Sequence, residues 1–162
     1  MEKLYQPTIN RVLKIADIEF FQKNFKHILM KEFEDTLNAD NIKTGFNQLQ
    51  FTIAQNYIHQ FLEKEKIFLT KLGFPYTIIS LENSCEVTVN LNTKFGLQTV
   101  NLKGTVDRLA KFSDTYHLVD YKTGKVEGKE LNFISNEKLL DGTKSKAVQL
   151  QMYAYLLIKK GE

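Results

Sequence analysis

Asp107, Asp120 and Lys122 are the residues whose types and spacing point most directly to chemistry in this chain. They lie within residues 104–124, which read as a β-hairpin. Residues 105–112 and 116–122 are rich in β-branched and aromatic types, and Ser113-Asp114 supplies the turn between them. Side chains along a strand alternate between faces, so Asp120 and Lys122 share one face, roughly 6.5 Å apart along the strand and within reach of one phosphate and one metal ion. Asp107 stands on the partner strand. It precedes Asp120 by thirteen positions, the length that two short strands and a tight turn consume, so pairing brings the two carboxylates together. Two acids held together repel unless a cation compensates them, and hard oxygen ligands suit Mg2+ or Mn2+, which take one or two carboxylates and keep several waters.

A further pair follows nearer the C-terminus. Residues 146–160 read as a helix, apolar nearly all round from Met152 to Ile158 and therefore expected to be mostly buried. Gln149 and Tyr153 stand four apart and share one face of it, aimed together at the metal site or at a strand of DNA. Gly-x-x-Asp-Arg at 104–108, Asp-Tyr-Lys-Thr-Gly at 120–124 and Gln-x-x-x-Tyr at 149–153 together resemble the motif series of the PD-(D/E)XK nucleases of the RecB/AddB type. Asp-x-Lys by itself recurs often by chance, whereas three motifs in this order and at these spacings carry the resemblance.

The resemblance implies an α/β fold with a restriction-endonuclease-like core, a mixed β-sheet flanked by helices, over residues 76–162, preceded by a helical region at 1–75. It covers residues 76–160 well and the helical half in general character. Asp107 and Asp120 would then bind Mg2+ or Mn2+ together with the backbone carbonyl of Tyr121. Lys122 would sit by the attacking water, orienting it or stabilising developing negative charge. Gln149 and Tyr153 would help to place the DNA strand and the lysine. The implied reaction is metal-dependent hydrolysis of phosphodiester bonds in DNA. The implied setting is an exonuclease domain at the C-terminal end of a helicase-nuclease, with a helicase domain or subunit as partner, in double-strand break repair and recombination.

Family members also carry a Gly-x-x-x-His motif on a helix ahead of the sheet, and this chain has no match to it. Its first residues, Met1 to Pro7, read as the last turns of a helix ended by a proline, and the chain stops directly after the motif helix. A piece of a longer protein, truncated at both ends, is therefore expected, one that folds but cleaves DNA poorly by itself.

Two long helices should precede the hairpin. After Asp17, a candidate N-cap, Ile18, Phe21, Phe25, Ile28 or Leu29, Phe33 and Leu37 recur at helical spacing and should be buried. A second helix is expected over residues 47–72, with Leu49, Ile53, Tyr57, Phe61 and Phe68 on one side and Gly73-Phe74-Pro75 as its stop signal. Residues 77–81 and 86–91 are β-prone, and 98–102 lead into the hairpin. From Lys125 to Ala147 the pattern weakens, with short apolar pieces at Phe133 and Leu139-Leu140, and reads as a mobile loop beside the site. Its Lys144 and Lys146 either approach a phosphate backbone or simply belong to a solvated loop.

The 162 residues, 43% hydrophobic and 12% aromatic, suit one globular domain or a large piece of a bigger protein. With 22 basic against 19 acidic residues the charge is +3, so nucleic acid is permitted as a partner but any basic face must be local. The single Cys85 excludes an internal disulfide framework and zinc-ribbon spacing, and a cytoplasmic setting is expected. No apolar run approaches the roughly 20 residues of a membrane span.

Plainer readings stand beside these. Asp107-Arg108 is also what half of a surface ion pair looks like, residues 120–122 could be an ordinary polar strand face, and Gln149 with Tyr153 could be packing alone. His27, His59 and His117 are read as non-catalytic, and Glu82 as the one extra acid near the same sheet edge. Two other classes of function remain. One is a nuclease-like fold used as a silent DNA-binding or partner-docking module; the other is a small β-rich ligand-binding domain with helical flanks, which leaves the acids unexplained.

Overall fold

A computed structural model describes residues 1–36, 44–132 and 142–161. The chain begins with a short helix α1 (Glu2–Tyr5), a 3-10 turn (Gln6–Thr8) that contains Pro7, and two long helices, α2 (Ile15–Thr36) and α3 (Gly45–Leu72). Strands β1 (Tyr76–Thr93), β2 (Gly96–Phe112) and β3 (Thr115–Val119) follow, then α4 (Gly128–Leu131) and α5 (Ser145–Lys160). Tight turns join the strands into one antiparallel sheet in the order β1-β2-β3. This mixed α/β architecture, helices and then a sheet, is consistent with the restriction-endonuclease-like core. The chain divides into two compact units, Met1–Ile78 with Lys111–Thr115, and Ile79–Ala110 with Tyr116–Glu162.

In the first unit α2 and α3 run antiparallel. Glu19 pairs with Lys66, Gln22 bonds Glu63, and Phe33 meets Phe51 edge-on, so partners move forward on one helix and backward on the other. Ile18, Phe21 and Phe25 are buried as the periodicity requires, while Leu37 lies outside the described residues. Asp17 is the third residue of α2 rather than its cap. Its carboxylate accepts from the Lys14 N–H at 2.8 Å, the returning half of a capping box, and is clamped by both terminal nitrogens of the Arg11 fork at 2.9 Å.

On α3 the apolar row noted in the sequence lies inward only in part, with Phe61 and Phe68 meeting Tyr5 and Tyr76 edge-on. Leu49, Ile53 and Tyr57 are exposed, and Phe51, Leu62 and Glu65 are buried instead. Steps of four residues advance more than a full turn and drift around the helix, so the row 49, 53, 57, 61 leaves the core face that positions 51, 58, 62 and 65 hold. The buried Glu65 carboxylate receives the Tyr5 hydroxyl. Gly73 then ends the helix in the left-handed conformation at φ 69°.

In the second unit β1 is one continuous strand across both β-prone segments, with Glu82 at φ 47° marking an irregularity between them. Its core is Cys85, Val106 and Leu109 of the sheet against Leu156 and Leu157 of α5, with Val87, Leu102, Leu118 and Tyr153 packed around them. Burial of α5 is one-sided, unlike the all-round apolar pattern. Met152, Tyr155 and Ile158 face outward, the last 73% exposed. Residues 125–132 are not featureless: α4 is fixed by a reciprocal capping box between Glu127 and Glu130. Phe133, Leu139 and Leu140 lie outside the described residues.

Candidate active site

The β2–β3 hairpin forms with the expected Ser113-Asp114 turn, Ser113 taking φ 52°. The strand ends sooner than the sequence suggests, at Val119, and residues 120–122 continue beyond it without a ladder of their own. Alternation nevertheless persists through the motif. Lys122 Nζ lies 2.6 Å from Asp120 Oδ2, with the Asp120 side chain 8% exposed and that of Lys122 35%. Tyr121, between them, turns the other way and is held at two points: its N–H donates to Asp107 Oδ2 at 2.6 Å, and its hydroxyl accepts from Arg108 Nη1 at 3.3 Å. Asp107 and Arg108 are successive strand residues on opposite faces, so together they grip the backbone and the ring of Tyr121.

Arg108 is therefore not half of a surface ion pair. It is 1% exposed and among the largest fully buried side chains. Sequence reasoning assigned it no part in the site; the available signal was its position at i+2 from Val106 and i−2 from Ala110, on the face that strand alternation buries.

The other motif residues arrive from α5. Gln149 Nε2 donates to the Tyr153 hydroxyl at 2.6 Å, closing the i, i+4 pair. Tyr153 packs on the sheet at Gly104, where an added Cβ would lie 2.8 Å from Tyr153 Cε1 and 3.1 Å from Leu156 Cδ1. The glycine is thus what allows α5 to approach β2 closely enough to set the tyrosine beside the hairpin. Gly104→Ala should cost about 1–3 kcal/mol, lowering the melting temperature by roughly 3–10 °C. A thermal melt that leaves the wild-type midpoint unchanged would show that this close approach is not needed.

The Lys122 ammonium is held above its ordinary pKa, first by the hydrogen bond to Asp120 and then by attraction to Asp120, Tyr153 and Asp107. Its folded pKa exceeds the unfolded value of 10.5, so its contribution to stability is full below pH 10.5 and disappears only as pH rises through the higher folded value. Any activity that needs the charged lysine should hold level from pH 7 to 9.5. A fall within that window that follows a single ionisation and disappears in Lys122→Arg would contradict this.

Among the described residues no three His, Cys, Asp or Glu side chains gather as a metal cluster. Glu82, exposed in β1, does not join the two aspartates in one. His27 and His59 are exposed on α2 and α3. His117, half-buried on β3, is kept neutral to lower pH than usual, chiefly by burial and secondly by the Arg108 charge. The donor chemistry present still fits a hard divalent cation. Asp107 and Asp120 each place one oxygen in the contacts above and keep a second, and hard oxygen donors of this kind, with the Tyr121 carbonyl, are what Mg2+ accepts when waters complete its shell. Lys144 and Lys146 both turn to their own chain: Lys144 to the Lys129 carbonyl, Lys146 to Glu130 at 2.9 and 3.0 Å and to the Lys125 carbonyl at 3.0 Å.

Asp107 on β2, Asp120 with Lys122 just past β3, and Gln149 with Tyr153 on the helix packed against Gly104 all belong to the second unit. The family model of the PD-(D/E)XK nuclease superfamily matches residues 2–162, and the chain belongs to that superfamily. The match takes in the helical half, where the motifs alone gave only general likeness. Members of this superfamily generally use divalent metals. No curated protein and no solved structure matches the chain.

Proposed function

We propose that this chain is a metal-dependent DNA nuclease domain whose site consists of Asp107, Asp120, the Tyr121 carbonyl, Lys122, Gln149 and Tyr153. The observation that carries the reading is the Asp120–Lys122 contact at 2.6 Å on the same hairpin as Asp107, whose carboxylate is fixed by the Tyr121 N–H. Asp107, Asp120 and the Tyr121 carbonyl would hold the cation. Bound there, a divalent ion lowers the pKa of water and offsets charge on the phosphate. Asp120 orients the Lys122 ammonium, which is charged at neutral pH and placed to steer the attacking water and to stabilise the negative charge that builds on the phosphate oxygens. Gln149 fixes the Tyr153 hydroxyl, and Tyr153 packs on the hairpin at Gly104, a positioning role. The order of the three motifs supports a RecB/AddB-like exonuclease working beside a helicase in break repair.

One observation favours a second reading, a silent module that binds DNA or docks a partner. Each acid is already compensated within the chain, Asp120 by an ammonium and Asp107 by an amide N–H, so the pair does not need a cation to be tolerated. Labelled single-stranded and duplex DNA incubated with the chain and Mn2+ or Mg2+ separates the two. Cleavage that stops on chelation supports the nuclease, whereas binding with no cleavage under any divalent ion supports the silent module.

A further inference from the structure

Strands β1 and β2 run well past the core that anchors them. Val87 and Leu102 are the outermost strand residues packed on the core cluster, and from there the ribbon continues about 20 Å to its turn at Lys94-Phe95. A two-stranded ribbon with little core of its own is marginal in water, and here cross-strand side-chain pairs brace it. Glu86 meets Lys103 at 3.0 Å, and Thr88 with Asn101 and Asn90 with Thr99 are each hydrogen-bonded at 2.8 Å. Thr93 ties the turn, its hydroxyl donating to the Gly96 carbonyl at 2.9 Å and accepting from the Phe95 N–H at 3.1 Å.

The arm has the surface chemistry of a nucleic-acid contact. Between Glu86 and Asp107 there is no acidic residue; the exposed groups are amides, hydroxyls, the apolar Leu91 and Leu97, the Lys103 ammonium paired with Glu86, and the ammonium of Lys94 at the tip. At the tip Phe95 is 79% exposed, and Lys94 Nζ stands 5.0 Å from its ring centroid, on one face. The other ring face is available to a base, while the ammonium can meet the neighbouring phosphate. Duplex DNA offers no unstacked base to such a ring, which favours a single strand.

We infer that this hairpin arm is a second contact site, a single-strand holder in which one base stacks on Phe95 and Lys94 takes the adjacent phosphate. Resting on the nuclease reading, it also sets a length. Asp107 lies eleven residues along β2 from Gly96, about 36 Å, which corresponds to roughly ten nucleotides of stacked strand at about 3.4 Å each. The arm thus selects substrates with at least that much single strand beyond the bond that is cut.

The test uses thymidine oligonucleotides of about 25 and about 5 nucleotides, read by anisotropy and by cleavage with Mn2+, for the wild type, Phe95→Ala, Lys94→Ala and Phe95→Tyr. Phe95→Ala should weaken the long strand about tenfold, with Phe95→Tyr restoring it, and Lys94→Ala should flatten the salt dependence by about one phosphate contact. Cleavage of the short strand should be the same in all four. Equal affinity of wild type and Phe95→Ala for the long strand overturns the inference, as does a loss confined to duplex DNA, or a loss of self-association with DNA affinity intact. If the wild type cleaves neither strand while Phe95→Ala still weakens the long one, the catalytic reading fails and the arm stands.

Discussion

Lys122→Ala should reduce DNA cleavage about 100- to 1,000-fold, the usual cost of removing one group aimed at developing charge. It should leave DNA affinity within a few fold. Lys122 is paired with Asp120 in the folded chain, so it is both the proposed transition-state cation and a competitor for that carboxylate. Removing it should therefore keep divalent-ion binding or tighten it, even as the rate collapses. Lys122→Arg keeps the charge but not the compact ammonium geometry, and should recover only part of the rate. Normal cleavage by Lys122→Ala would mean that the lysine only neutralises Asp120.

Asp107→Asn and Asp120→Asn should each abolish metal-dependent cleavage and also the stabilisation that metal confers. At an ion concentration of about 100 times Kd, wild-type binding adds about 2.7 kcal/mol, or roughly 5–10 °C in the melting temperature of a chain of this size. Asparagine is chosen because the Asp107 carboxylate accepts the Tyr121 N–H at 2.6 Å, and an amide oxygen can keep that bond while giving up the charge. Alanine would confound lost metal with a loosened Tyr121. Equal metal stabilisation of the wild type and both variants would remove the aspartates from the metal site.

The hairpin, its turn and the pairing of Asp120 with Lys122 two residues on were legible in the sequence because period-two alternation and a two-residue turn leave little freedom. The same alternation survives past Val119, where the ladder has ended. The helix pair α2 and α3 was legible in its existence and in the Gly73 stop. The core face of α3 was not, because a row at i+4 spacing and the real face at mixed i+3 and i+4 spacing differ by a slow rotation that only the partner helix decides. The all-round apolar pattern of α5 overstated its burial, since apolar side chains cover much of any protein surface and composition does not say which side has a neighbour. Alternation marked Arg108 for burial, but its Tyr121 partner and the brace of Lys146 on Glu130 are pairs far apart in the chain, which no local pattern encodes. Repulsion between the acids likewise looked like a demand for metal, whereas Lys122 and the Tyr121 N–H already supply local compensation.

Calorimetric titration of the chain with Mn2+, for the wild type, Asp107→Asn, Asp120→Asn and Lys122→Ala, tests the proposed site most directly. The site predicts saturable binding in the wild type, its loss in both asparagine variants, and its retention in Lys122→Ala. Binding that persists unchanged in both asparagine variants, or its absence from the wild type, would contradict it.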